Sequence, residues 1–409
     1  MELIIPEGIN YECTGCGKCC SGWSVPLTQE DYERIAAIDW GKLDPNLKDK
    51  DLFRALKPNE KLNTPYTHAI KAEPSGQCPF LKNNLCFIHS QFGPETKPAI
   101  CQLFPYCFNE TPDGIYSTVS FISRGVIFNA GRSLIEQKEY LKTKFGQFQK
   151  LFPNHHPNWS QIKLSSNVPL SWEQYLEIEK TLLTLIQDTS KSLLARFLAG
   201  SQYLSTVLDE NITGRPRTEQ QTNVNLGQGQ DVHSPARRST LNPWDKVLFS
   251  TLYKIYFPRQ NKAGKSWGQL HLGLSSFIKA GWSDSETDKL IAQAANLPWP
   301  ENDAAISDLI YRFFYSRVFG KLYFGAGFGQ LSLIAGFNHL ALALGLLRLK
   351  AGSIAMARSS SIITLDDVVA TIVQLEKSLG ELKISPYGAA ILELLLASQG
   401  RIRRFLALV

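Results

Sequence analysis

Past residue 107 the 409-residue chain contains no cysteine, and all eight of its cysteines lie between Cys13 and Cys107. Such crowding excludes thiols as general core filler and marks the first quarter as a region built around sulfur. The opening Met1-Glu2-Leu3-Ile4-Ile5-Pro6-Glu7 lacks a basic and then an apolar stretch. No secretory leader is expected, and a cytoplasmic setting that keeps thiols reduced argues against disulfides. Charge of one sign is also scarce: the net charge is +6, with 11 Lys/Arg against 13 Asp/Glu in residues 1–107 and 32 against 24 afterwards. That excess forms no dense basic stripe with interleaved aromatics, so nucleic acid is not an expected partner. No internal repeat is present.

What the chain does have is a patterned cysteine set: Cys13-x2-Cys16-x2-Cys19-Cys20, then Cys78, Cys86, Cys101 and Cys107. Inert buried cysteines have no reason to recur every third residue or to stand side by side, whereas metal ligands do. All eight are therefore candidate ligands. Thiolates are soft donors that select zinc and iron–sulfur centres over harder cations, and their spacing leaves both open. The adjacent pair Cys19-Cys20 is informative. Neighbouring side chains of an extended segment diverge to opposite faces, which suits two metal sites or a bridge better than one tetrahedron.

The run Cys13-Thr14-Gly15-Cys16-Gly17-Lys18-Cys19-Cys20 resembles the signature of the CxxCxxCC cysteine-cluster family. A second block agrees with that family in order and spacing: Cys78-Pro79-Phe80-Leu81, Cys86-Phe87-Ile88-His89, and Lys97-Pro98-Ala99-Ile100-Cys101-Gln102-Leu103-Phe104-Pro105. Within the family, the length and the helical later part are similar to the flagellin lysine-N-methylases. That resemblance implies a 4Fe–4S cluster (with zinc as the alternative metal), S-adenosylmethionine as methyl donor, and a flagellin-like or other lysine-bearing protein as substrate. Alternatively the chain is a non-enzymatic metalloprotein, such as a redox sensor, an assembly factor or a partner-binding scaffold. Three departures stand out. Lys97 and Gln102 occupy positions where the family favours arginine, losing the planar guanidinium fork. Ser120-Phe121-Ile122-Ser123-Arg124-Gly125 carries no thiol where the methylases have a further cysteine. Cys107 is extra, and is expected to take over as a ligand. There is no Rossmann-type methyltransferase fingerprint, so no catalytic base and no cofactor-binding residue is assigned.

At 44% hydrophobic and 20% charged residues the chain reads as globular with two or three domains. Thr28-Gln29-Glu30-Asp31 opens a short helix through Tyr32, Ile35 and Ile38. Strands are expected around the Pro112-Asp113-Gly114 turn. Short loops bury little apolar surface, so the metal itself is expected to be the core of this module. Helix starts follow at Ser171-x-x-Gln174, Asn242-Pro243, Ser283-x-x-Glu286, Thr364-x-x-Asp367 and Ser385-Pro386. The expected fold is mainly α: a small irregular Cys-rich metal-binding module with a few short strands over residues 1–125, a connector over 126–170, and a helical domain over 171–409. Residues 211–240, polar and without an aromatic, are expected to be a mobile loop.

Leu322 to Leu347 is 26 residues without a Lys, Arg, Asp or Glu, long enough to cross a bilayer. Its five glycines and its Gln330, Ser332, Asn338 and His339 favour a buried helical hairpin over a membrane span. Gly325-Ala326-Gly327-Phe328-Gly329 imitates a nucleotide-binding loop, but no acidic residue follows at the distance a ribose needs. His339 and the pair His155-His156 read as structural, and His89, three residues after Cys86, as the histidine best placed near the thiols. The aromatic run Tyr311, Phe313, Phe314, Tyr315, Phe319, Tyr323 and Phe324 reads as core, with a lysine channel as its functional alternative.

Overall fold

The computed structural model describes residues 1–18, 24–60, 64–214, 243–258, 271–272 and 296–406. Cys19, Cys20, the Ser283 cap and residues 215–242 fall outside the described residues. The chain divides into two compact units, Met1–Pro157 and Asn158–Val409.

The first unit is made of short pieces. In chain order its strands are β1 (Leu3–Ile4), β2 (Val25–Thr28), β3 (Phe53–Ala55), β4 (Tyr66–Ile70), β5 (Leu81–Lys82), β6 (Leu85–Cys86), β7 (Tyr106–Thr111) and β8 (Gly114–Val119). Its helices are α1 (Gln29–Ala36), α2 (Trp40–Leu43), α3 (Phe87–Phe92), α4 (Ala99–Leu103), α5 (Arg124–Ile127) and α6 (Lys138–Leu151). One sheet has the order β2-β4-β3, antiparallel throughout, and another the order β1-β8-β7, with β1 parallel to β8. The predicted turn joins β7 to β8 in the register Thr111 opposite Gly114. The predicted capping box is present at α1: Thr28 Oγ1 accepts from Asp31 N, and the Asp31 carboxylate accepts from Thr28 N. This unit has an apolar core of its own, in which Val25, Leu27, Ile35, Trp40, Phe80 and Ile88 are all at most 4% exposed. The expectation that metal substitutes for a core is therefore corrected. Strands and helices too short to fold alone pool their apolar residues, and Cys78, Cys86, Ile100 and Cys101 pack along the edge of that cluster.

The second unit is mainly helical. After the hairpin β9 (Lys163–Ser165) and β10 (Val168–Pro169), its helices are α7 (Trp172–Gln187), α8 (Leu193–Thr213), α9 (Pro243–Tyr256), α10 (Ala304–Phe319), α11 (Leu333–Ala357), α12 (Leu365–Glu381), α13 (Pro386–Leu396) and α14 (Gln399–Leu406); β11 (His271–Leu272) pairs in parallel with β12 (Lys383–Ile384). Capping boxes sit where the sequence places them, at Ser171 with Gln174 and at Thr364 with Asp367. Helix α8 runs through Thr213 before Gly214 ends it in the left-handed region, so the first residues assigned to a loop over 211–240 are helical. Buried along most of its length, α11 is the central core helix and packs against α8, α12, α13 and α14. By length and composition it could cross a membrane, yet 72% of its most apolar window is buried in the protein.

A helical hairpin over Leu322–Leu347 is not formed. The segment is an irregular turn followed by the first part of one helix. Close backbone approach explains the glycines: a Cβ on Gly327 would stand 1.8 Å from Lys321 O, and one on Gly336 2.0 Å from Tyr323 O. They serve packing rather than phosphate binding. The aromatic run is likewise core, since Phe313, Phe314, Tyr323 and Phe324 are fully buried. Buried charges here are matched: Lys321 Nζ donates to Glu179 Oε2 at 2.8 Å, and Asp245 accepts from Arg401 Nε at 2.6 Å and Arg404 Nε at 2.8 Å. His339 is buried against the Tyr256 hydroxyl.

Candidate metal centre

Five of the predicted cysteines line one cavity of 150 Å³ in the first unit: Cys13, Cys16, Cys78, Cys86 and Cys101. Each arrives by a different local device. Residues 10–12 enter the site tethered to the end of the unit, with Asn10 N donating to Asn129 Oδ1 at 2.7 Å and Tyr11 N to Arg132 O at 3.1 Å. The loop from Cys13 to Gly17 then lies on the β5–β6 hairpin. Gly15 and Gly17 adopt φ values of +63° and +67°, and a Cβ on Gly15 would come within 2.8 Å of Leu85 Cδ2. Only glycine holds that backbone without strain while approaching so closely. The opposing hairpin turns on Asn83 and Asn84, both at positive φ, the conformation that two-residue hairpin turns require.

Cys86 closes β6 and stands at the N-cap of α3. Cys101 lies inside α4, whose first amide is held from α1: Ala99 N donates to both oxygens of Asp31, at 3.2 and 3.1 Å. Arg34 joins the same carboxylate at 2.6 Å and reaches Lys97 O at 3.2 Å. Asp31, only 2% exposed, thus caps one helix and anchors the segment that carries a thiol.

Burial pushes the Cys78 thiol up to about 11, with the nearby Cys86 adding to the rise. Burial raises Cys101 further still; Lys97 draws it back in part, while Cys78 and Cys86 push it up. These thiols sense one another's charge, and a low-dielectric site resists their ionisation unless a cation enters. A bound metal supplies that charge, because metal-ligating sulfur is thiolate. Among the described residues no three of His, Cys, Asp or Glu already converge tightly enough to clasp an ion; the thiols stand around a space rather than on a point. The donor set fits a thiophilic centre, zinc or iron–sulfur, and offers nothing that would select magnesium or calcium.

Cys107 stands apart. It lies on β7 in register with Thr118, with Sγ 3.7 Å from Pro105 O, and is not part of the cavity lining. His89 lines the cavity from the exposed side of α3. His155 packs edge-on against Phe148, and His156 lies 3.9 Å from Glu110; neither reaches the thiols. Sequence reasoning missed Lys97 and Arg124 as lining residues. The signal for Lys97 was its place four residues before Cys101. The stretch in which the resemblance puts a further cysteine does reach the site, through Ser123, Arg124 and Gly125, so a cation and a hydroxyl stand where a thiol was to be expected. Gln102, at the other lost arginine, secures the loop instead by donating to Glu95 O at 3.0 Å and Lys97 O at 2.7 Å.

Comparison with known proteins places these residues. A protein of Methanocaldococcus jannaschii named "Uncharacterized protein MJ0939" is 31% identical over 176 residues, covering 41% of this chain and 56% of that protein. The chain thus spans little more than half the length of that relative. No solved structure matches. Residues 12–120, which contain all eight cysteines, match the model of the CxxCxxCC family, described as "Putative zinc- or iron-chelating domain".

Proposed function

We propose that the cavity bounded by Cys13, Cys16, Cys78, Cys86 and Cys101 holds an iron–sulfur centre, with Cys19 and Cys20 as the sequence candidates to complete its ligands, and that the chain is a cytoplasmic S-adenosylmethionine-dependent protein-lysine methylase. The observation that carries the metal reading is the meeting of five thiols from three separate stretches of chain around one space. Its size favours a cluster over a single zinc: 150 Å³ is roughly ten times the smallest cavity able to hold one water. The same size is below that of ordinary small-molecule pockets, so S-adenosylmethionine as a whole is not accommodated there. The methyl-transfer part of the reading rests on the resemblance to flagellin lysine-N-methylases. In that reaction the S–CH3 bond breaks as an N–CH3 bond forms on an unprotonated lysine amine of the protein substrate, giving S-adenosylhomocysteine, methyl-lysine and a proton.

A second reading is a metalloprotein without catalysis. It is favoured by the burial of Phe313, Phe314, Tyr323 and Phe324, the aromatics that a lysine channel would have used.

Iron, sulfide and zinc analysis of protein purified without oxygen tests the metal. Iron with matching sulfide is expected, reduced at least several-fold in Cys86→Ser and Cys101→Ser; the Cys107→Ser variant reads out whether that thiol contributes. Absence of both metals from folded protein overturns the reading. Calorimetric titration of cluster-replete protein with S-adenosylmethionine tests the activity separately. No binding there, with the cluster present, leaves the second reading.

A further inference from the structure

The second unit contains a cavity of 370 Å³, within the range of small-ligand sites and unconnected with the cysteines in sequence. Its wall combines Lys191, Arg196 and Arg348 with one acid, Glu301, and the rings of Trp299 and Tyr311. The balance of lining charge is positive. Ser190, Ser192 and the first residues of α8 also line it. At that helix start Ser192 Oγ accepts from Ala195 N, and the Leu193 and Leu194 amides are among the first-turn donors that an α-helix cannot satisfy internally.

A helix start alone attracts anions weakly, and the second observation is Arg348. Its side chain, on α11, is 6% exposed. Nη2 donates to Glu301 Oε1 at 3.1 Å, the guanidinium lies 4.8 Å from the Trp299 ring, and Nε has no partner among the described residues. A guanidinium buried in the wall of a cavity with donor capacity unspent is costly unless an acceptor arrives. Burial pushes its pKa down to about 10, with Glu301 opposing that fall. Arg196 is also fixed, with Nε donating to Lys191 O and Nη1 to Ile186 O, both at 2.9 Å, and its charge lies 5.8 Å from the Tyr311 ring. The cations are thus held in position by the fold, flanked by aromatic surfaces.

We propose that this cavity binds a small phosphate-bearing molecule with a planar ring, of about mononucleotide size, its phosphate at the amino end of α8 between Lys191 and Arg348 and its ring against Trp299. The helix start and paired cations suit a tetrahedral dianion, and the indole supplies a stacking face. The proposal is independent of the methyl-transfer reading.

Isothermal titration of the full chain with AMP, adenosine and inorganic phosphate tests it. AMP is expected to bind more tightly than either fragment, with affinity falling as salt rises. Lys191→Ala, at a half-exposed position whose Nζ donates to Asp188 Oδ2 at 2.7 Å, is expected to weaken AMP at least five-fold, and Trp299→Leu to weaken AMP while leaving inorganic phosphate unchanged. Because Arg348 is buried, Arg348→Lys is compared with wild type by circular dichroism first, and is expected to lose affinity at unchanged helicity. No heat with AMP at millimolar concentration overturns the proposal. So does adenosine binding as tightly as AMP, or AMP affinity unmoved by Lys191→Ala.

Discussion

The ion pairs of the second unit and the thiols of the first are completed in opposite ways. In the second, strongly buried charges have counter-charges: Lys321 with Glu179, Asp245 with Arg401 and Arg404, Arg317 with Glu376. In the first, half-buried Cys78 and Cys101 face other thiols, whose ionisation would only repel their own. A matched network is finished by the fold and mainly fixes structure. A set of like groups around a space is finished only by something from outside. That difference separates scaffold from site, and exposure follows it: Cys78 and Cys101 are half-buried, whereas Lys321, Glu179 and Asp245 are closed off from water.

The largest expected effect that would break the comparison is at Lys321. Lys321→Met leaves the Glu179 carboxylate buried without its cation and is expected to cost about 3–5 kcal/mol in denaturant unfolding. The double variant Lys321→Met/Glu179→Leu should recover most of that loss. A single-variant cost under about 1 kcal/mol would mean that the buried pairs are not matched in the sense argued.

Next in size is a pH effect. Burial, with the Arg317 charge adding to it, pushes the His339 imidazole down to about 3. The unfolded chain, in which histidine titrates near ~6.5, therefore takes up a proton that the folded chain refuses. The stability this contributes is complete above the unfolded pKa and is lost as pH falls toward the folded value, by up to ~1.4 kcal/mol per pH unit. Between pH 7 and pH 5 the wild type is expected to lose about 2 kcal/mol more than His339→Gln. Parallel pH profiles would show that His339 is not held neutral.

The smallest effect sharpens the contrast from the side of the thiols. Gly15→Ala, at φ +63° and against Leu85, is expected to cost about 1–2 kcal/mol and to weaken metal retention. Gly146→Ala, inside α6 with nothing within 4 Å, should instead stabilise the protein by about 0.5–1 kcal/mol. Thermal melts of the two variants, with metal analysis of the first, separate a loop built for the site from a helix indifferent to it.

Much of the local architecture was legible because its causes are local. The capping boxes at Thr28, Ser171 and Thr364 each need two residues three apart, and the β7–β8 turn needs only Asp113-Gly114 between β-forming runs. Glycines 325, 327 and 329 correctly marked a break in the apolar stretch, although α11 packs on α8, α12, α13 and α14 and not on a second half of the same segment. Less legible were features whose members are distant in the chain. Lys321 and Glu179 are 142 residues apart. The apolar cluster beside the thiols joins residues from Val25 to Ile88, each in an element too short to show a periodic face.

The sequence by itself determined that sulfur is concentrated at one end, that its spacing suits metal ligation, and where five of the described helices begin, because each of these depends on residue type and short-range order. Only the tertiary structure decided that Cys13 and Cys16 face Cys78, Cys86 and Cys101 while Cys107 lies on a strand away from them, and that Ser123 and Arg124 complete the wall. Which side chains share a space depends on how distant segments dock, here through two left-handed glycines on one hairpin and one aspartate serving two helices. Docking of that kind is set by complementary surfaces and hydrogen bonds that no spacing along the chain records.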